Sequence, residues 1–140
     1  MADTVRSVAH FTIEIENTVG SGAKILGELR DNDVDLIAAW GYATPSGKAK
    51  LELVPSDPDG FGAAAKALGL QPSAPLTVFY LTGADRVGAL AEALAKLAAA
   101  NVGLEAVQAV SDGSGSFGAV FFVGAADIQR AGTALDAQAT

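Results

Sequence analysis

The chain has 140 residues, half of them apolar, with no cysteine and a formal net charge of −7. That length suits one ordinary domain or two small ones, the apolar share excludes a disordered chain, and the missing cysteines exclude disulfides and thiolate chemistry. An acidic chain without a basic stretch offers no surface for nucleic acid, and no apolar run approaches the roughly 20 residues of a membrane helix. The start, Met1 to Arg6, lacks the basic opening and apolar core of a signal peptide, so the expectation is a cytoplasmic protein.

Val8 to Glu16 alternates, with Phe11, Ile13 and Ile15 on one side and Thr12, Glu14 and Glu16 on the other, which predicts a strand with one buried face. Asn17 to Gly22 is an elbow, followed by a helix carrying Ile25, Leu26 and Leu29 that stops in the polar run Arg30 to Asp33. Leu36 to Tyr42 reads as a second strand, Thr44 to Gly47 as a turn, and Lys48 to Val54 as a third strand. Asp57-Pro58-Asp59 opens a second helix, because proline fits its first position and acids suit its first turn, and Gly69 ends it. Gln71 to Pro75, with two prolines, is a linker.

The same order then recurs: strand Leu76 to Leu81, elbow, helix with Leu90, Leu94 and Leu97 at one stripe, strand Leu104 to Val110, strand Phe117 to Val123, helix Ala126 to Asp136. At a constant offset Asn17-Thr18-Val19-Gly20 falls on Asp85-Arg86-Val87-Gly88 without a gap, Phe11 on Phe79, Leu29 on Leu97 and Gly47 on Gly115. Two copies are too few for a solenoid and read as a duplicated small domain. The predicted domains are 1–70 and 76–140, joined by the linker 71–75. Each is an α+β, ferredoxin-like β-α-β-β-α unit, an antiparallel sheet with helices on one face, the two packed as a pseudo-symmetric pair. A complete unit has a fourth strand. Here the fourth strands are missing, very short (Ala137 to Thr140) or borrowed.

In the second copy both sheet faces look apolar, since Val78 and Tyr80 oppose Phe79 and Leu81, and Val120 and Phe122 oppose Phe121 and Val123. A strand apolar on both sides is usually covered on both, so this face is expected to meet a partner, most simply a second copy in a two-fold dimer.

Both elbows join a strand to a helix start, where first-turn amides lack partners and a small anion can sit. Gly20 and Gly88 let another molecule approach the backbone. Asn17 and Asp85 have two readings, as helix N-caps or as acceptors for a ligand's amino group. Gly113 to Gly118 matches G-x-G-x-x-G, but a strand follows where a dinucleotide site needs a helix, so it reads as a hairpin turn. His10, the only histidine, lacks a second histidine for metal or base chemistry, which favours a structural or surface role. Trp40 and Tyr42 share one face of the second strand and read as core or as an aromatic wall. Repeated α/β units also resemble glyoxalase-like metal enzymes, but only His10 and Glu52 are on offer as ligands. No catalytic constellation assembles, and no cofactor or metal is expected.

Asp85-Arg86-Val87-Gly88-Ala89-Leu90, followed by Ala100-Asn101-Val102-Gly103-Leu104-Glu105, resembles the signature of the ACT domain, and Asn17 to Gly20 with Asp33 to Leu36 is a fainter copy. Val87 and Val19 stand where that family has proline, and Gly103 and Asp35 where it has asparagine. The resemblance spans nearly the whole chain as a tandem pair. It implies a regulatory protein binding a free amino acid or similar small acid between units. The elbow residues Asn17, Thr18, Val19, Gly20 and Ser21, and Asp85, Arg86, Val87, Gly88, Ala89 and Leu90, would form the site. The binding signal would pass to a metabolic-enzyme partner. The alternative from another class is a ligand-free assembly module that docks on such an enzyme.

Overall fold

The computed structural model describes residues 3–138. Its elements are β1 (Thr4–Glu16), α1 (Ser21–Asp31), β2 (Leu36–Ala43), β3 (Lys48–Pro55), α2 (Pro58–Leu68), β4 (Leu76–Ala84), α3 (Ala89–Ala99), β5 (Leu104–Ser111), β6 (Ser116–Val123), a 3-10 turn (Ala125–Asp127) and α4 (Ile128–Ala134). They form two compact units: Ala9–Leu76, here the N-terminal unit, and Thr77–Thr140 together with Met1–Val8, the C-terminal unit. The expected domains 1–70 and 76–140 differ from these units chiefly in the first eight residues.

In the N-terminal unit the strands run in the order β2-β3-β1, all antiparallel. Phe11 pairs with Leu53 and Ile13 with Leu51, which aligns the apolar residues of two strands on one face. There they pack with Leu29 of α1 and with Phe61 and Ala65 of α2, and the Phe11 and Phe61 rings meet at 4.6 Å in a tilted arrangement. The position of a fourth strand is taken by the proline-rich segment. The Ser73 amide donates to the Thr12 carbonyl at 2.8 Å, and the Thr12 amide donates to Ser73 Oγ at 2.9 Å. Pro72 and Pro75 have no amide to extend that ladder.

The C-terminal unit has the order β1-β4-β6-β5 and takes its fourth strand from the opening residues of β1. Val5 is buried in the same core as Phe79, Leu81, Leu97 and Phe121. This is why β1 begins at Thr4 rather than at the expected Val8. Past α4, Gln138 makes one parallel bridge to Arg6, its amide donating to the Val5 carbonyl at 2.8 Å. Of the predicted tail strand, Ala139 and Thr140 lie outside the described residues.

The pseudo-duplication extends to backbone detail. Gly20 and Gly88 have φ of 90° and 83°, Asp33 and Asn101 of 60° and 59°, and Gly47 and Gly115 of 79° and 104°. Both second strands carry a register shift at the matching place, Leu36/Ala38 and Leu104/Ala106. Asp33 and Asn101 end their helices in the same way, the next amide reaching back to Leu29 or Leu97 at 3.0 and 2.9 Å.

Two N-cap readings are corrected. The caps of α1 and α3 are Gly20 and Gly88 in left-handed conformation, and no side chain bonds the first-turn amides. Asn17 and Asp85 stand three residues too early, because the left-handed glycine finishes the bend before the helix begins.

Candidate ligand-binding elbows

At the first elbow the chain leaves β1 at Glu16 and turns through Asn17 to Gly20. The Ser21 amide donates to the Thr18 carbonyl at 3.2 Å and Lys24 begins the helical ladder on the Gly20 carbonyl at 2.9 Å. Between them the Gly22 and Ala23 amides have no acceptor among the described residues, as expected for a first turn without a side-chain cap. The Thr18 and Ser21 hydroxyls share a hydrogen bond of 2.5 Å beside them. Val19 is fully exposed and Asn17 is exposed.

The second elbow repeats this frame. Ala89 donates to the Arg86 carbonyl at 3.2 Å, Glu92 to the Gly88 carbonyl at 3.0 Å, and the Leu90 and Ala91 amides lie between. Val87 is fully exposed, like Val19. Ala89 is buried and Leu90 half-buried against the core, so of the expected contact residues these two face the protein. A Cβ at Gly20 or Gly88 would meet nothing within 4 Å, so both bends open outward.

The elbows differ in their surroundings. Asp85 is latched: its amide donates to the Gly115 carbonyl at 2.9 Å and its Oδ2 accepts from Ser111 Oγ at 2.7 Å. The glycine-rich hairpin therefore serves to hold the elbow. Asp112 in that hairpin accepts the Ser114 amide at 2.7 Å, and hydrogen bonds from Ser114 lower its pKa below the ordinary value. Arg86 pairs with Glu92 and lies 3.5 Å from Asp3. A pocket of about 100 Å³ nearby is lined by the charged residues Asp3, Glu92, Lys96 and Asp136 together with Val5, Leu81, Ala93 and Leu135.

A second set of groups is assembled across three strands, so the sequence singles out His10, Glu52, Trp40 and Tyr42 without showing that they meet. Thr12 and Trp40 both stand opposite Glu52 in the sheet register. Glu52 Oε1 accepts from Thr12 Oγ1 at 2.5 Å, Oε2 accepts from the Tyr42 hydroxyl at 3.0 Å, and His10 Nε2 lies 3.3 Å from Oε1. The His10 ring is buried and stacks on Trp40 at 5.8 Å. Burial lowers the His10 pKa, opposed by the Glu52 carboxylate. The alternation of β1 had placed Thr12 on the outer face, and a matching pattern in β3 was the available signal for Glu52.

No protein-family model matches the chain, and no curated protein matches it. Among solved structures, a protein from Bacteroides thetaiotaomicron is 21% identical, with a TM-score of 0.79 over 96% of this chain and 88% of that one. The regulatory subunit of aspartate kinase from Thermus flavus is 14% identical, with a TM-score of 0.64 over 96% and 94%. The ligand-free regulatory subunit of aspartate kinase from Thermus thermophilus is 11% identical, with a TM-score of 0.65 over 97% and 95%. At these identities the likeness establishes fold alone, and the fold is α+β and ferredoxin-like in a pseudo-duplicated arrangement. No helix among the described residues is long and apolar enough to cross a membrane.

Proposed function

We propose that this chain is a regulatory protein without catalytic activity that binds a free amino acid or similar small acid at its glycine elbows. The carrying observation is the pair of left-handed glycines, φ 90° and 83°, each leaving first-turn amides without a side-chain cap and open to the outside. A carboxylate suits such a place through both hydrogen bonding and the helix dipole. The amides around Gly20 and Gly88 would hold it, the first elbow adding the Thr18 and Ser21 hydroxyls. Asn17 is open to accept from the ligand's amino group, whereas Asp85 must share its carboxylate with Ser111. The likeness to regulatory subunits supports a regulatory role. Binding would be passed on by linkage, the ligand stabilising the form that a metabolic-enzyme partner recognises. A homodimer in the cytoplasm completes the reading.

A second reading, a ligand-free assembly module, is favoured by β5. Every residue after Leu104 in that strand is exposed, with Val110 at 72%, so one sheet edge of the C-terminal unit is uncovered among the described residues. A thermal-shift screen of the twenty amino acids separates the two readings. A ligand at a hundred times its dissociation constant adds roughly 2.7 kcal/mol, which moves the midpoint by several degrees. Gly20→Val and Gly88→Val should remove the shift, while Gly20→Asn and Gly88→Asn, whose side chain tolerates the left-handed region better than valine, report folding with less strain. No shift with any amino acid favours the assembly module.

A further inference from the structure

The two units offer an internal comparison. Strand registers place Tyr80 opposite Val120 and Gln108 opposite Val120, as Thr12 and Trp40 stand opposite Glu52. At equivalent outer-face positions the C-terminal unit therefore carries Val78, Tyr80, Gln108, Val110 and Val120 where the N-terminal unit carries His10, Thr12, Trp40, Tyr42 and Glu52. Val78 and Val120 are as buried as His10 and Glu52. The fold thus has an apolar solution at these positions, and buried polar groups are often replaceable by apolar ones without loss of stability. A polar set kept in one copy alone is not needed to build the sheet.

We propose that the N-terminal unit is the acid-responsive half of this protein. Protonation of His10 turns its contact with Glu52 into an ion pair that competes with the Thr12 and Tyr42 hydroxyls for the carboxylate and loosens the tie between β1, β2 and β3. Glu52 of β3 lies 3.3 Å from His10, and Tyr42 of β2 reaches the same carboxylate from the row of Lys50. Lys50 of β3 and Glu14 of β1 stand in the next row of the same face, and Lys48 pairs with Glu16 beyond them. Arg6, four residues earlier on β1, is occupied over the Tyr80 ring at 5.3 Å. No histidine exists in the C-terminal unit.

Burial holds the folded His10 pKa below its ordinary value of 6.5. The unfolded chain therefore takes up the proton first. The contribution of neutral His10 to stability is complete above pH 6.5 and is lost as pH falls from there toward the folded pKa. Trp40 is the only tryptophan and stacks on the only histidine, so its emission reports this proton. The test is a fluorescence titration of the full chain from pH 8 to pH 4. The expected result is quenching with a midpoint below 6.5, abolished by His10→Val, the residue found at the matching position as Val78. Glu52→Gln should lower the midpoint, because the carboxylate favours the imidazolium. Tyr42→Phe should raise it, because one competitor for the carboxylate is gone. A midpoint at 6.5 or above, a transition that survives His10→Val, or a Tyr42→Phe midpoint that stays in place overturns the proposal.

Discussion

Phe61→Ala should lower the unfolding free energy by about 3–5 kcal/mol, the range for deleting a buried aromatic ring. Phe61 is fully buried and is the largest side chain that α2 contributes to the N-terminal core, its ring tilted against Phe11 at 4.6 Å. That core is small: its buried members are Phe11, Ile13, Leu29, Leu53, Phe61 and Ala65. Total stability of a domain of this kind is about 5–15 kcal/mol, so the loss brings the unit close to its unfolding threshold. Urea denaturation followed by far-ultraviolet circular dichroism checks this, with the midpoint falling while Phe61→Leu falls less. A cost below about 1 kcal/mol would mean that the ring does not fill the core in solution.

Glu52→Ala carries the second large effect, about 2–3 kcal/mol, for a different reason. The lost carboxylate leaves the part-buried Thr12 hydroxyl without its acceptor and empties the space beside the enclosed His10 ring, and a stranded donor costs more than the bond contributes. The Tyr42 hydroxyl is less affected, because its residue is 47% exposed and water can replace the acceptor. Replacing both ends of the cluster, His10→Val with Glu52→Val, should cost less than Glu52→Ala alone, since the C-terminal unit already packs Val78 and Val120 at those places. Denaturation curves of the two variants, measured side by side at pH 7.5, decide it. A double variant less stable than Glu52→Ala would show that the cluster supports the sheet itself.

Most of the fold was legible because periodicity reports it directly. The Phe11-Ile13-Ile15 alternation and the Leu90-Leu94-Leu97 stripe each state which face is buried, and the constant offset between copies repeats that statement. The fourth strands were not legible. Thr4 to Val8 has no alternation of its own to show that it is paired in a unit whose other residues begin at Thr77. Ser73 pairs with Thr12 inside a proline-rich stretch that local rules assign to a linker. The elbows were located by residue type, but their caps were misplaced by three residues, since only dihedral angles show that Gly20 and Gly88 complete the bend. The latch from Ser111 to Asp85 and the cluster around Glu52 depend on strand register, which the sequence pattern leaves open.

The proposed function requires that first-turn amides at the glycine elbows receive an anionic ligand. Its most direct test is a two-dimensional ¹H–¹⁵N spectrum of labelled protein, titrated with the amino acid that gives the largest thermal shift. Binding at the elbows gives saturable displacement of the Gly20, Gly22 and Gly88 amides, with those of Ala23, Leu90 and Ala91, and none in the Gly20→Val, Gly88→Val double variant. Saturable displacement confined to residues away from both elbows would contradict it.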